Sequence, residues 1–384
     1  MSTLTPSSPE VLTPSGPVPF FDLGPMHAGL KKPILEAIDR IVSDGTFTQG
    51  EEVRLFEDAF AAFCGARTCV GMSSGLDALR VALRAVGVGP GDEVILPAQT
   101  FFATAEAVIQ LGATPVFVDI SRTDLNIDVA QVEAAISDRV RAILPVHLFG
   151  QLADMRALQA IASNHSLPIV EDACQAHGAD RDDLRAGASG TIGVFSFYPS
   201  KNLGAFGDGG AAVTDDETLA ELMRVLREHG QLTKYHHIVD GYTARLDTIQ
   251  ASVLLQKLPQ LASWNSLRVE AAGYYEGELA GLGDLELPPV PPGSKPVWHL
   301  YVVRTRDPEE LERFLRERGI GTGRHYPVPI HLTPALHRLG YKTGSFPVAE
   351  DLALRGISLP LFPGITEEQL ETVVTALRAY FDGS

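Results

Sequence analysis

Residues 68–96 read TCVGMSSGLDALRVALRAVGVGPGDEVIL. An apolar run at 68–71 is followed by a helical pattern at 75–86 and, after a glycine-rich turn, by a second apolar run at 93–96. The apolar side chains of the middle segment fall on one helical face: Leu76, Leu79, Leu83 and Val86. A strand, a helix and a second strand in this order predict two parallel strands joined by a crossover helix.

The same alternation continues to about residue 260. Five more apolar runs are predicted strands: 115–118, 142–146, 168–171, 191–197 and 211–214. Further helices are predicted at 128–137, 153–164 and 217–229. Most of the strands are continuous apolar runs, which is typical of strands covered on both faces. The pattern predicts an α/β fold whose large domain has a mostly parallel, seven-stranded sheet between helices.

The chain is predicted to divide into three parts. Residues 1–17 are rich in Ser, Thr and Pro and form a disordered lead-in, residues 18–260 form the large α/β domain, and residues 261–384 form a smaller α+β domain. A long helical stretch at about 245–279 spans this boundary and leads to a proline-rich segment at 287–296, which is predicted to be a linker or an edge loop. The small domain then contains a strand at 298–304, a helix at 308–318 and a last helix that starts at Thr366, where Gln369 completes a capping box.

The composition disfavours several classes of protein. Of 384 residues, 31 are basic and 48 are acidic, so the formal charge is −17, which argues against nucleic acid as a partner. No apolar run approaches the ~20 residues of a membrane-spanning helix, and the first residues do not resemble a secretory signal. Three cysteines are too few for a disulfide scaffold and suit a reducing compartment. We expect a soluble cytoplasmic protein with no membrane partner.

Two predicted strands are followed by residues that suit a coenzyme. Asp172 and Gln175 come directly after the run at 168–171, and in open α/β sheets ligands bind beyond the carboxyl ends of the strands. Asp172 can instead cap a helix or form a turn. Lys201 follows the run at 191–197 among aromatic and small residues, a setting that lowers a lysine pKa as a Schiff-base nucleophile requires. The alternative for Lys201 is a surface lysine in a glycine-rich turn.

A third feature is the turn Ser74-Gly75-Leu76-Asp77 between the first strand and its helix. The amide groups of Gly75 and Leu76 stand at the positive end of that helix, where they can hold a phosphate. Ser74 can equally be a helix cap, with Asp77 three residues later. An anion cradle, a carboxylate for the pyridine nitrogen and a lysine for the aldehyde are together what pyridoxal phosphate requires.

The chain resembles the DegT-type sugar aminotransferases, pyridoxal-phosphate enzymes of fold type I that act on nucleotide-linked keto sugars. The resemblance runs from about residue 20 to the C-terminus. Its motifs, in chain order, are SSGLDAL, GVGPGDEVILPAQTFFAT, PVFVDI, PVHLFGQLADM, IVEDACQAHGA, FSFYPSKNLGAFGDGGA, RLDTIQA and RHYPVPIH. We therefore expect fold type I, with pyridoxal 5'-phosphate as the cofactor.

The resemblance implies two catalytic residues. Lys201 matches the lysine that binds the cofactor aldehyde, and Asp172 matches the partner of the pyridine nitrogen. Gln175 would lie beside the phenolic oxygen of the cofactor, and Phe101 would stack on its ring. Some relatives have histidine in place of the lysine and perform dehydration, so Lys201 favours amino transfer.

The resemblance also implies how the cofactor phosphate is held. Gly75, Leu76 and Ser196 match its phosphate-binding positions, although the family usually has threonine where this chain has Leu76. The family is homodimeric, and each site is completed by the neighbouring subunit. The matching stretch here supplies Arg245 as a further cofactor-binding residue, but it has Thr243 in place of the usual asparagine.

The expected activity is the transfer of an amino group from glutamate to a nucleotide-linked keto sugar. His325 and Tyr326 match a motif near the substrate entrance, and no residue set has the spacing of a metal site. The motifs VWHLYVVR and RHYPVPIH are more similar to enzymes that aminate C-3, which favours a dTDP-3-keto-6-deoxyhexose. A C-4 keto sugar, a 2-acetamido-3-keto sugar and a keto-cyclitol are alternatives. A non-catalytic regulatory protein that retains the fold is a more distant one.

Overall fold

The computed structural model describes residues 16–383, so most of the predicted lead-in at 1–17 lies outside the described residues. All seven predicted strands of the large domain are present. They are β1 (Thr68–Met72), β2 (Glu93–Pro97), β3 (Thr114–Val118), β4 (Val140–Ile143), β5 (Val170–Asp172), β6 (Ile192–Ser196) and β7 (Gly210–Thr214). β4 begins two residues earlier than predicted, and β5 ends on Asp172 itself.

The seven strands form one sheet. β3, β2 and β4 pair in parallel, as do β5 and β6, while β7 runs antiparallel between β6 and β1. Two parallel bridges, Ile143 to Ile169 and Val146 to Asp172, join β4 to β5. The order across the sheet is therefore β3-β2-β4-β5-β6-β7-β1, and the predicted mostly parallel sheet is confirmed.

Helices cover both faces of this sheet. In the whole of residues 16–383 there are thirteen α-helices, not all of which contact this sheet: α1 (Gly24–His27), α2 (Lys31–Asp44), α3 (Glu51–Cys64), α4 (Gly75–Ala85), α5 (Phe102–Gln110), α6 (Val129–Ala134), α7 (Met155–His165), α8 (Glu217–Arg227), α9 (Thr248–Lys257), α10 (Leu261–Leu279), α11 (Pro308–Glu317), α12 (Pro347–Arg355) and α13 (Glu367–Asp382). Neighbouring strand residues point to opposite faces, so Val94 and Leu96 pack with α4, α5 and α8, while Ile95 packs with α3, α7 and α9. Burial on both faces explains the continuous apolar runs.

The helical stretch predicted at 245–279 is confirmed from Thr248 onward, but it is not one continuous α-helix. α9 begins at Thr248, and a short 3₁₀ turn at Leu258–Gln260 separates it from α10. Pro259 lies in that turn, and it has no N–H to continue the α-helical hydrogen bonds. The proline-rich segment at 287–296 contains a short strand, because Ser294–Lys295 pairs with Asp180–Arg181, and this pairing at a sheet edge agrees with the edge-loop alternative.

The C-terminal part has an apolar core of its own. β8 (Tyr301–Arg304) and β9 (Gly356–Leu359) form an antiparallel pair, against which α11, α13 and the second half of α10 pack. α13 starts at Thr366 with the predicted capping box, formed with Gln369. Val18 also packs into this core and bonds to the backbone of residues 319 and 321, although it was assigned to the large domain. The boundary at 260/261 stays a prediction, since α10 contributes Leu261 to one core and Tyr275 to the other.

Candidate active site

The carboxyl ends of β5 and β6 bring together the residues that the sequence singled out. Asp172 is the last residue of β5 and is 5% exposed. Its Oδ2 accepts a hydrogen bond from the Thr104 hydroxyl at 2.8 Å, and its Oδ1 accepts one from the backbone N–H of Cys174 at 3.2 Å. The second contact is the turn that the alternative interpretation expected, whereas the first fixes the carboxylate toward α5. Asp172 is thus a buried, oriented hydrogen-bond acceptor.

Lys201 lies just beyond β6, and its side chain is not a free surface group. Its Nζ is 3.4 Å from Nε2 of His299. Burial lowers the pKa of the lysine, and the neighbouring Cys174 and Asp172 oppose this effect. A lowered pKa increases the fraction of neutral amine, which is the nucleophilic form.

The first turn of α4 lies against the end of β6. Ser74 is the N-cap, and its Oγ accepts from the backbone N–H of Asp77 at 3.1 Å, so the capping interpretation is confirmed. A Cβ on Gly75 would lie 2.8 Å from Cβ of Ser196 and 3.0 Å from Sγ of Cys174. Only glycine fits there, because the two backbones approach so closely. The amides of Gly75 and Leu76 are in the first turn, where helix amides have no intrahelical partner.

Three more of the predicted residues, Gln175, Phe101 and Tyr326, form one cluster in which Tyr326 contacts the other two. Nε2 of Gln175 donates to the Tyr326 hydroxyl at 3.1 Å, and its Oε1 accepts from the backbone N–H of Phe149 at 2.7 Å. The rings of Phe101 and Tyr326 are 5.6 Å apart, and Phe101 is 56% exposed. An exposed aromatic face beside buried polar groups is suited to stacking on a planar ligand.

His325 lies next to this cluster. Its ring stacks on Phe20 with centroids 5.6 Å apart, and its Nδ1 is 2.8 Å from Oγ of Ser358. Burial and the positive charge of Lys201 lower the pKa of His325 to about 4, so its imidazole is neutral at pH 7. Because Nδ1 is engaged by Ser358, His325 can offer a substrate its Nε2, as a donor or as an acceptor according to the tautomer, but no charge.

Arg245 is held away from the cluster by an ion pair. Its Nη1 donates to Oε1 of Glu228 at 2.8 Å. Its backbone nevertheless lies beside the first turn of α4, because the N–H of Ser73 donates to the carbonyl of Ala244 at 3.0 Å. Thr243 points elsewhere, with its Oγ1 3.2 Å from a ring nitrogen of His229. Within one chain, Arg245 is an ion-pair partner, and its cofactor role stays a prediction.

Sequence reasoning missed His299 and Thr104. Both contact residues that are distant in the chain, across 98 and 68 positions respectively. His299 lies in the quoted motif VWHLYVVR, and Thr104 lies in TFFAT, so the motifs held the only signal. Among residues 16–383, no group of three or more His, Cys, Asp or Glu side chains is arranged to hold a metal ion, and no helix there has the length and apolar character to cross a membrane.

The model of the DegT/DnrJ/EryC1/StrS aminotransferase family matches residues 29–378. The chain belongs to this family. A dTDP-3-amino-3,4,6-trideoxy-alpha-D-glucose transaminase of Streptomyces venezuelae is 47% identical to this DegT-family chain over 94% of the chain and 96% of the relative. A UDP-N-acetyl-3-dehydro-alpha-D-glucosamine 3-aminotransferase of Acidithiobacillus ferrooxidans is 44% identical over 97% and 100%. A "pleiotropic regulatory protein" of Geobacillus stearothermophilus is 45% identical over 95% and 98%.

Solved structures of DegT-family proteins have the same fold. A crystal structure of S. venezuelae DesV in complex with a ketimine intermediate has a TM-score of 0.94 and 47% identity, and the match covers 96% of this chain and 99% of that one. NtdA of Bacillus subtilis, solved with bound cofactor PMP, has a TM-score of 0.89 and 30% identity, over 98% and 87%. The predicted fold class is confirmed.

Pyridoxal phosphate is the cofactor of this DegT-family chain. The residues at the strand ends fit it, because they combine a buried carboxylate at Asp172, an amine of lowered pKa at Lys201 and a close backbone approach at Gly75. The carboxylate suits the pyridine nitrogen of the cofactor, the amine suits its aldehyde, and the helix amides at Gly75 suit its phosphate.

Proposed function

We propose that this protein transfers an amino group from glutamate to a nucleotide-linked keto sugar, and that the sugar is a dTDP-3-keto-6-deoxyhexose. One observation carries the proposal. β5 and β6 are adjacent strands; β5 ends at Asp172, Lys201 lies five residues beyond the end of β6, and the first turn of α4 lies between them. The relatives of this chain include sugar transaminases. The 47% identity to the S. venezuelae transaminase supports the dTDP-linked 3-amino product class.

We assign the following roles within the proposal. When bound, the cofactor withdraws electrons from the carbon next to the transferred nitrogen. Asp172 holds a proton on the ring nitrogen, and the Thr104 hydroxyl keeps the carboxylate directed at that position. Lys201 holds the aldehyde in the resting enzyme and moves a proton once its amine is free. Gln175 is the neighbour of the phenolic oxygen, and Phe101 covers the ring face.

The phosphate is assigned to the amides of Gly75 and Leu76 and to the hydroxyl of Ser196. Ser196 accepts a hydrogen bond from the backbone N–H of Tyr198 at 3.3 Å, which leaves its own proton free to donate. Leu76 has no hydroxyl, so the backbone makes the contact that a threonine side chain makes in many relatives. The positive end of α4 stabilises the phosphate charge.

His325 and Tyr326 are assigned to the substrate, together with Phe20, which stacks on His325. A neutral imidazole and a phenol are suited to sugar hydroxyl groups, which need both donors and acceptors. The C-terminal core positions this pair, because Ser358 of β9 bonds to His325. The sugar would therefore lie between the two cores of the molecule.

We further propose that the protein is a cytoplasmic homodimer with shared active sites. The segment from Gln231 to Val239 exposes a set of apolar side chains: Leu232, Tyr235, Ile238 and Val239. Contiguous exposed apolar residues of this kind mark interaction surfaces. The segment lies close to Arg245 through Glu228, which bonds to both Arg245 and Gln231. A partner subunit that covers this segment would bring its site next to Arg245.

A UDP-linked 2-acetamido-3-keto sugar is the second candidate substrate, because the A. ferrooxidans relative at 44% identity is named as a UDP-sugar 3-aminotransferase. The test is incubation of the holoenzyme and glutamate with dTDP-, GDP- and UDP-linked keto sugars, with products identified by mass and NMR. We expect a 3-amino dTDP-sugar and one equivalent of 2-oxoglutarate per amine. Amination of small keto acids alone would overturn the sugar assignment.

The same preparation tests the alternative of a non-catalytic regulatory protein, which we retain because the G. stearothermophilus relative is named as a regulatory protein. We expect the purified protein to be yellow or to become so with added pyridoxal phosphate. Protein that stays colourless and produces no 2-oxoglutarate would favour a non-catalytic function.

A further inference from the structure

The amine of Lys201 contacts a histidine that no motif role explains. His299 is 8% exposed and follows the proline-rich segment, 98 residues beyond Lys201. Its Nε2 is 3.4 Å from Nζ of Lys201, and its Nδ1 is 3.2 Å from Oδ1 of Asn202. Whether Nε2 can accept a hydrogen bond from the lysine depends on which ring nitrogen carries the proton.

Backbone carbonyls determine the position of that proton. Nδ2 of Asn265 donates to the carbonyl of His177 at 2.8 Å, so Oδ1 of Asn265 faces Asn202. Nδ2 of Asn202 donates to this Oδ1 at 2.9 Å and to the carbonyl of Val297 at 3.0 Å. Oδ1 of Asn202 therefore faces His299. Because carbonyl oxygens only accept, neither amide can be flipped without placing two acceptors in contact.

Oδ1 of Asn202 can bond only to a protonated Nδ1 of His299. A neutral imidazole carries one proton, so Nε2 of His299 is the bare acceptor that faces Lys201. The ring is neutral, because burial and the positive groups around it lower its pKa well below the usual value. Those groups are Lys201 and Arg268. A bare Nε2 beside an amine can accept one of its N–H groups.

Two residues of α10 fix His299, one through its side chain and the other through its backbone. Asn265, through Asn202, fixes its tautomer. Arg268, one turn later, donates Nη1 to the carbonyls of Trp298 at 3.1 Å, His299 at 3.4 Å and Leu361 at 3.1 Å. Arg268 is fully buried, and burial lowers its pKa to about 9. Burying a charged guanidinium costs free energy, and hydrogen bonds to these backbone carbonyls offset part of that cost. The geometry of His299 is thus set by two residues of one helix.

We propose that His299 is the acceptor that holds and orients the free amine of Lys201, and that Asn202 and Asn265 are positioning residues that keep Nε2 of His299 unprotonated. This inference rests on the proposed role of Lys201. In an amino transfer the lysine nitrogen must be released and must then act as a proton carrier. His299 receives one N–H of that free amine, so the other hydrogen and the lone pair face the substrate side. No proton is transferred between Lys201 and His299, and the contact acts only by orienting the amine.

Two matched substitutions separate the contact from packing. His299→Gln retains an oxygen acceptor close to the position of Nε2, whereas His299→Asn retains only the group that meets Asn202. We expect one cofactor per chain in both variants. We expect the rate of the half-reaction with glutamate to fall about 10- to 100-fold in His299→Asn, as a misdirected catalytic group predicts, and to recover most of this loss in His299→Gln.

Labelling of the apoprotein gives a readout that does not need activity. The rate at which an amine reagent modifies Lys201, followed by peptide mass spectrometry over pH, reports the pKa of that lysine. An acceptor favours the charged amine, so His299→Asn lowers the midpoint of this profile relative to wild type, and His299→Gln restores it. The other groups that act on this lysine, Asp172, Cys174, His177 and His325, are the same in all three proteins.

The tautomer is tested by ¹⁵N NMR of histidine-labelled protein, with the His299→Gln spectrum used for assignment. We expect an unprotonated Nε2 in wild type and a mixture of tautomers in Asn202→Leu. A wild-type His299 that is protonated at Nε2, or a His299→Asn variant with unchanged half-reaction rate and labelling profile, would overturn the inference. The proposed function fails separately, if Lys201→Ala still attaches the cofactor covalently.

Discussion

At the scale of single residues, Asp172 shows how burial and hydrogen bonding cooperate. Its carboxylate has two fixed donors, the Thr104 hydroxyl and the amide of Cys174, and almost no contact with solvent. A buried carboxylate is costly unless it has partners of this kind. The remaining lone pairs of Asp172 can accept from a ligand, which explains why such a group is placed at the end of β5.

We predict that Asp172→Asn reduces the half-reaction rate by at least about 100-fold, because an amide cannot balance the charge of a protonated ring nitrogen. Thr104→Val is the matched variant, since it keeps the carboxylate and removes one donor. We expect a loss of about 10-fold there, the effect of one hydrogen bond to a charged group. Stopped-flow absorbance with glutamate measures both. Equal rates in Asp172→Asn and wild type would contradict the assignment of Asp172.

Lys257 illustrates a second buried amine, outside the active site. It is 1% exposed, its Nζ donates to the carbonyl of Gly204 and lies 3.2 Å from Nε2 of His27, and burial lowers its pKa to about 8. Between pH 8 and about 10.5, the folded state has lost this proton while the unfolded state retains it. Stability from this group is therefore lowest below pH 8 and rises with pH through that window.

We predict that the free energy of unfolding of wild type, relative to Lys257→Met, increases with pH from about 8 to about 10.5, with a slope of up to ~1.4 kcal/mol per pH unit. Urea denaturation at several pH values measures it, and groups other than Lys257 cancel in the difference. A difference that is independent of pH would show that the lysine has its ordinary pKa.

The individual site residues were predictable where they lie at the end of a strand. Asp172, Gln175 and Lys201 each follow an apolar run, and topology brings the ends of parallel strands together. His299 and Thr104 were not predictable in this way, because nothing local in the sequence indicates a partner 98 or 68 positions away. The Ser74 cap was predicted, but the Asp77 carboxylate bonds to the Ser73 hydroxyl and to Arg80 rather than completing a capping box.

At the scale of elements, α10 connects the two parts of the chain. Its first turns contact the large sheet's core through Leu261 and Asn265, and its later turns pack in the C-terminal core through Tyr275. The hydroxyl of Tyr275 donates to the carbonyl of Pro360 at 2.8 Å. A helix anchored in both cores fixes the position of β8 and β9 relative to the strand ends, and with it the position of His325.

The last helix offers a test of an element boundary. The capping box of α13 joins Thr366 and Gln369 in both directions. We predict that Thr366→Ala lowers the free energy of unfolding by about 1 kcal/mol, because the amide of Gln369 loses its partner at the start of the helix. Thr372→Ala, within the same helix, is the control and should change stability by less than about 0.5 kcal/mol. Urea denaturation that finds equal effects at both positions would contradict the capping account.

Strand existence was predictable for all seven strands of the sheet, since burial on both faces leaves a clear apolar signal. The bounds of β4 and β5 shifted because the strand ends are set by pairing between strands, which the chain does not display locally. The break between α9 and α10 was missed although Pro259 marks it, because apolar periodicity continues on both sides of the proline.

At the scale of the whole molecule, a chain of charge −17 is proposed to bind a nucleotide diphosphate. Two arginines near the first turn of α4 are already engaged in ion pairs. Arg245 pairs with Glu228, and Arg80 pairs with Asp77. Positive side chains from a second subunit would reduce the repulsion between this acidic chain and the nucleotide diphosphate. Substrate binding would then depend on the oligomeric state.

We predict that subunits with complementary defects restore activity when they form mixed dimers. Lys201→Ala chains and Arg245→Ala chains are each expected to have little activity alone. If Arg245 serves the partner's site, a mixed dimer has one intact site, and a statistical one-to-one mixture has about one quarter of wild-type activity. Co-expression with two different tags provides the mixed species. A mixture no more active than Arg245→Ala alone, or a monomer by light scattering, would contradict the shared site.

Identifying the residue to which the cofactor is covalently attached tests the proposed role of Lys201. Borohydride reduction of the holoenzyme, followed by proteolysis and peptide mass spectrometry, locates the lysine that bears the phosphopyridoxyl group. We predict that this group is on Lys201 alone and that Lys201→Ala protein has no such modification and no visible absorbance from bound cofactor. A modified peptide that contains a different lysine, or wild-type protein with no modified peptide, would contradict the assignment of Lys201.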